Sequence, residues 1–178
     1  FTAAWSNPSE RDSASLRLDH VFSEKLRAFV RASWLPSNWS YRGDELTTAN
    51  VITSADSKPW SAAGAVTWTP SAKTSNDLLF GISNNTMTTA VTMDTFGGAK
   101  KLSDSLLFPS GVSAATAEYR FGVLGLGGYT VTGGARTEQM QWNVVDNLTT
   151  IKGSHSFKFG ADFRRTTPTY IQRPYSAE

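Results

Sequence analysis

The chain has 178 residues, a formal net charge of +2 and no cysteine, and only 18% of its residues are charged. Lacking cysteine, it has no disulfide scaffold, zinc knuckle or thiol nucleophile. Its thinly spread Lys and Arg do not make the basic face of a nucleic-acid binder. Low charge, 42 Ser and Thr and 21 aromatic residues leave open a less common option, β-structure that meets lipid.

The length is that of one ordinary domain, but Phe1 follows no initiator Met or signal-like leader, so the expectation is an excerpt of a longer protein. No stretch approaches the ~20 apolar residues of a spanning helix. What recurs is alternation of period two, the mark of a strand with two different faces.

The first such segment puts Leu16, Leu18, His20 and Phe22 on one face and Arg17, Asp19 and Val21 on the other. After Ser23–Lys25 the pattern resumes, with Leu26, Ala28, Val30, Ala32 and Trp34 against Arg27, Phe29, Arg31 and Ser33. A helix capped by Ser23 also accounts for Leu26, Phe29, Val30 and Trp34. The preceding strand and the Ala, Phe, Val and Trp content favour β. A long connection, Leu35–Pro59, follows. A strand over Trp60–Thr69 is predicted to stop at Pro70, and a turn over Ser71–Asn76 leads into Asp77–Ser83, where Leu78, Phe80 and Ile82 share a face. A second long connection covers residues 84–136.

Met140–Ile151 alternates again, except that Asp146 falls on the apolar side, which predicts a bulge or an interface position. Lys152–Ser154 joins it to His155–Arg164. There His155, Phe157, Phe159, Ala161 and Phe163 oppose Ser156, Lys158, Gly160, Asp162 and Arg164.

Connections within hairpins are short and those between hairpins long. Compact soluble domains rarely carry loops beyond ~12–15 residues, whereas short turns on one side and long loops on the other mark outer-membrane β-barrels. The expected fold is therefore all-β: an antiparallel up-and-down transmembrane β-barrel segment of about six strands in three hairpins. Closed membrane barrels begin at ~8 strands, so the segment is incomplete as a barrel.

In that frame Arg17, Asp19, Arg27, Arg31, Lys158, Asp162 and Arg164 line the lumen, and Leu16, Leu18, Val30, Phe157, Phe159 and Phe163 face lipid. Trp34 and Trp60 suit an outer aromatic girdle and Phe22 the opposite rim. Trp39 and Tyr41 are the candidates for ligand contact, with girdle or loop packing as the competing role. Arg42-Gly43-Asp44 and the sequons at Asn38, Asn84 and Asn147 read as chance matches. Gly125-Leu126-Gly127-Gly128 reads as a flexible loop and lacks the spacing of a dinucleotide fingerprint. His20 and His155 suit packing beside turns. Arg17/Asp19 and Asp162/Arg164 have no nucleophile or third partner beside them, so no catalytic, cofactor or metal site is expected.

Two of these hairpins resemble a known family. Leu16-Arg17-Leu18-Asp19-His20-Val21-Phe22-Ser23-Glu24-Lys25-Leu26-Arg27 is similar to a signature hairpin of TonB-dependent outer-membrane receptors of the Oar-like type. Asp146-Asn147-Leu148 followed by Lys152–Arg165, with its Lys-Phe-Gly-Ala-Asp-Phe-Arg-Arg run, resembles a second, more specific one. Trp68, in Thr67-Trp68-Thr69, resembles a third and weaker signature. The resemblance covers roughly residues 10–166. It implies that the chain, 1–178, is part of a receptor barrel of about 22 strands closed by an N-terminal plug. It also implies a place in the bacterial outer membrane, contact with its lipid, and coupling to the TonB complex through a region outside this sequence. The expected cargo is a bulky nutrient such as an oligosaccharide, peptide or chelate, and the expected protein is not an enzyme. A passive porin, a surface adhesion barrel and a soluble secreted β-sandwich remain as alternatives.

Overall fold

The structure is a computed structural model that describes residues 3–44, 47–123, 127–171 and 175–177. Among the described residues eleven strands join in one sheet. In chain order they are β1 (Ser9–Arg11), β2 (Ala14–Ser23), β3 (Leu26–Trp34), β4 (Ser37–Arg42), β5 (Val51–Ser57), β6 (Trp60–Ser71), β7 (Thr74–Met93), β8 (Ala117–Val123), β9 (Gly127–Lys152), β10 (His155–Tyr170) and β11 (Tyr175–Ala177). A 3₁₀ turn, Phe96–Gly98, and one helical turn, α1 (Asp104–Leu107), lie between β7 and β8.

The sheet has two tiers that share the long strands β7 and β9. In the lower tier β2, β3, β6, β7, β9 and β10 pair antiparallel in that order, giving the three expected hairpins. Among the described residues the sheet does not close on itself. Its hairpin turns fall at one end, held together by Thr69 N–H donating to Lys25 O at 2.7 Å and Ile151 N–H donating to Lys73 O at 2.8 Å. Ser23–Trp34 is thus a turn and a strand rather than a helix, because β2 and β6 supply ladder partners on both sides of β3.

The upper tier corrects the expectation of long irregular loops. Half of Leu35–Pro59 forms β4 and β5, while β7 runs ten residues past Ser83 and β9 begins well before Met140. Here β5 takes the place beside β7 that β6 holds below, and β1 flanks β4. Pro36 and Pro59 mark the seam: proline has no N–H to give a ladder, and there the strands exchange neighbours, with Leu35 N–H bonded to Pro59 O. Of the glycine stretch, Gly125 and Leu126 lie outside the described residues, and Gly127–Gly128 already belong to β9.

Two local expectations also change. The middle turn is tighter than Ser71–Asn76: β6 passes Pro70 through a register irregularity between Trp68 and Ser71, and β7 starts at Thr74. Proline sits in sheets at such irregularities. Of the two outcomes expected at Asp146, a bulge or an interface position, the bulge does not form. Pairing runs regularly through this residue on both sides, because Asn76 Nδ2 on β7 donates to its carboxylate at 2.7 Å.

The buried hydrophobic cluster lies in the upper tier: Val51, Met93, Leu107, Phe108, Ala117 and Val131. Gly134 supports it from β9. Its φ of +100° suits the bulge where Thr89 pairs with Ala135 but Val91 with Thr132, and a Cβ there would stand 3.0 Å from Thr89 O. The lower tier has no comparable core: β2 and β10 are exposed at every position.

Candidate functional site

Residues directly opposite in a ladder share a face, so the register sorts the side chains of the lower tier. One row runs Arg17, Arg31, Ala63, Gly81, Asn143, Arg164 from β2 to β10, and the next runs Asp19, Phe29, Ala65, Leu79, Val145, Asp162. Arg27 falls opposite Val21 and Thr67, and Lys158 opposite Thr149, on this same face. All seven charged residues singled out from the sequence thus come to one surface.

Across the β2–β3 ladder Arg17 and Arg31 are like charges in register, an arrangement that repels. Arg17 is compensated twice over. It grips Asp19 in a two-pronged ion pair, Nε–Oδ2 2.8 Å and Nη2–Oδ1 2.7 Å, and its guanidinium carbon lies 3.9 Å from the centre of the Phe29 ring. Arg164 and Asp162 stand 3.9 Å apart. Among the described residues Arg27, Arg31 and Lys158 make no ion pair, so the surface is left net basic.

Between its charged flanks this face has a low floor that sequence reading missed. Asn143 leans over Gly81, where a Cβ would meet its Oδ1 at 2.6 Å, and Asn147 leans over Gly160 at 2.7 Å. A glycine inside a strand is the available signal, since it often marks such a close approach. Thr67 Oγ1 donates to Asp77 at 2.7 Å on the same floor.

The other face is mainly apolar, broken by Asp146 with its partner Asn76 and, on β10, by Arg165. A row of Leu18, Val30, Gly64, Phe80, Val144 and Phe163 crosses all six strands, with Leu16 above it and Phe159 and Phe157 toward the turns. Leu16, Leu18, Val30, Phe157, Phe159 and Phe163 all lie on this face. Nothing covers them among the described residues: Leu16 is 63% exposed, Phe159 60% and Phe163 58%. Away from the turns the band ends at Trp34, paired directly with Trp60, and at the turns near Trp68, opposite Leu26. His20 lies edge-on to Phe22 near the β2–β3 turn.

Above the Trp34–Trp60 pair the same face becomes polar, with Asn38, Ser40, Ser54, Asp56 and Thr88 in register. Trp39 and Tyr41 have the opposite parity. They align with Ala55 and Thr53, and through them with Thr89 and Val91, on the continuation of the face that carries Leu79, Gly81 and Ser83. They sit in a strand rather than an open loop, partly buried, with ring planes 10° apart and centroids separated by 5.6 Å.

Arg42 is the best-anchored charge of the upper tier. Its Nη atoms donate to both Asp94 oxygens at 2.8 and 2.5 Å and to Ala49 O at 3.0 Å, and its guanidinium lies over Phe96. Trp5 meets Phe96 edge-on, and Arg42 N–H donates to Asn7 Oδ1. The Arg42 guanidinium, followed by the Phe96 N–H, holds the Asp94 carboxyl below its ordinary pKa. Arg42-Gly43-Asp44 is therefore held at Arg42 in a structural contact and does not present a free tripeptide. No group of three His, Asp or Glu gathers as a metal cage among the described residues.

What the arrangement supplies is separation: one surface for an apolar medium, the other for water and ions. No curated protein and no solved structure matches the chain. A family model described as an outer membrane beta barrel domain matches residues 1–177, and the chain belongs to that family, whose place is the bacterial outer membrane.

Proposed function

We propose that the chain is part of the wall of a TonB-dependent receptor that imports a bulky nutrient across the outer membrane. In this reading the apolar face meets lipid, the polar face lines the lumen, and the three short turns lie on the periplasmic side. The observation that carries the membrane-wall part is the uncovered apolar face of the lower tier. A soluble sandwich would bury such a face under a second sheet, and an apolar surface across six strands exceeds what soluble monomers leave to water. Its height agrees. Nine residues of β3 at ~3.3 Å each, tilted by ~40°, rise ~23 Å, close to the ~25 Å apolar band of such barrels.

The receptor part is supported by the likeness of β2–β3 and β9–β10 to the signature hairpins of Oar-like receptors. A passive porin would use the same wall, so energy dependence separates the two. Cells carrying the full-length protein should lose uptake of its growth-limiting nutrient when tonB is deleted or the proton-motive force is collapsed. Uptake that continues unchanged under both treatments sinks the receptor and leaves the porin.

A further inference from the structure

The competing roles for Trp39 were an interfacial girdle and packing within a loop; the geometry removes the girdle and places the residue in a strand rather than a loop. Girdle residues lie on the apolar face, where Trp34 and Trp60 are; Trp39 and Tyr41 align with Ala55, Thr53, Thr89 and Val91 on the other one. The buried cluster around Val51, Met93, Leu107 and Phe108 contains neither ring, although Ala55, directly opposite Trp39, is itself buried. What remains is a pair of parallel, partly exposed rings on the side that continues the polar face, beyond the end of the apolar band.

Their surroundings point to one class of ligand. Ser9 is opposite Trp39 on β1, and Ser37, Thr53, Ser57 and Thr89 share the same face. The charges of these strands mostly take the other parity: Glu10, Arg42 and Asp56 align with Asn38, Ile52 and Thr88. Among the described residues of β1, β4, β5 and Met87–Met93, Arg11 alone puts a charge on the ring side. Aromatic faces stack on apolar C–H surfaces, and hydroxyls both donate and accept hydrogen bonds. An uncharged ligand with an apolar face and a hydroxyl rim satisfies both, and a sugar ring has that form. A charged peptide or a metal chelate would find only Arg11 to pair with on these strands.

We propose that Trp39 and Tyr41 form a subsite for a neutral sugar ring of an oligosaccharide, on the inward wall of the barrel mouth. This rests on the lumen assignment of the polar face and names a cargo class for the uptake proposed above. The test uses full-length protein in detergent micelles and a panel of neutral hexasaccharides: α- and β-glucan, xylan and mannan fragments, each titrated by calorimetry. At least one should bind. Trp39→Ala should then weaken it about tenfold or more, while Trp39→Phe stays within about threefold of the parent. Trp34→Ala, on the opposite face, should leave affinity unchanged and serves as the folding control. A panel in which nothing binds, or an alanine variant at Trp39 that binds like the parent, overturns the subsite. Binding at this site in a protein whose uptake ignores TonB overturns the energised receptor and leaves the subsite standing.

Discussion

At the scale of single residues, the contact between Arg42 and Asp94 governs more of the structure than its surface position suggests. It ties the end of β4 to the segment after β7, and through Phe96 and Trp5 it reaches the chain that leads into β1. The guanidinium is 17% exposed and the carboxylate 38%, so solvent screening limits the pair to about 1 kcal/mol. The pH dependence has a definite sign. Asp94 has a depressed pKa in the folded state, so its stabilisation is fully present above the ordinary carboxylate range. It is lost as the pH falls through the depressed value, where folding must compete with protonation. Asp94→Asn should therefore speed proteolytic cutting of the 94–116 segment at pH 7 several-fold, in line with about 1 kcal/mol. In strong acid the variant and the parent should be cut alike. Equal cutting at pH 7 would mean that the ion pair holds nothing in place.

At the scale of strands, the assignment of faces is open to a direct challenge. Val30 sits mid-row on the apolar face, while Ala65, on neighbouring β6, belongs to the polar face opposite Phe29 and Leu79. Val30→Arg puts a charge into the apolar row, which meets lipid in the proposed wall, and should cost about 2–4 kcal/mol of folding into lipid vesicles. Ala65→Arg, pointing to water, should cost well under half as much; denaturant titration of vesicle-folded full-length protein measures both. Equal penalties would undo the face assignment. The three hairpins were legible in the sequence because apolar and charged residues alternate sharply in Leu16–Arg31 and Phe157–Arg164. The upper tier was not. Thr86–Thr92 of β7 carries Thr on both faces, which blurs the period-two contrast, and Ser37–Arg42 of β4 is only six residues long and starts just after Pro36. These strands owe their order to long-range ladder partners, which local pattern does not reveal. Asp146 is a similar case: between the bulge and the interface position that the sequence left open, the bulge is absent, and Asn76, seventy residues earlier, satisfies the carboxylate. For Trp39 the residue type suggested ligand contact, but Pro36 interrupts the alternation, and only the ladders with β1 and β5 fix its face.

At the scale of the whole molecule, the length of the shared strands decides how the sheet sits in a bilayer. The 26 residues of β9 extend ~85 Å at ~3.3 Å each, and tilting by ~40° still leaves ~65 Å of height. A bilayer with its headgroups takes up only ~40–45 Å. The strand therefore has to project, and the face on which it changes character shows where. Below Trp34 and Trp60 it carries Leu78, Phe80 and Val144; above them it carries Asn38, Ser54 and Thr88. In the proposed wall, with the short turns on the periplasmic side, the projecting end is the cell exterior. The absence of native cysteine makes this directly measurable with single cysteines in full-length protein and a membrane-impermeant maleimide on intact cells. Ser54→Cys and Thr88→Cys should label at once. Phe80→Cys and Val144→Cys should stay unlabelled, since lipid excludes the polar reagent. Lys25→Cys and Lys73→Cys, in the turns, should label only after the outer membrane is permeabilised. Turn cysteines that react on intact cells, with positions 54 and 88 protected, would reverse the orientation and place Trp39 and Tyr41 in the periplasm. Labelling of all six before permeabilisation would put the sheet outside the membrane altogether.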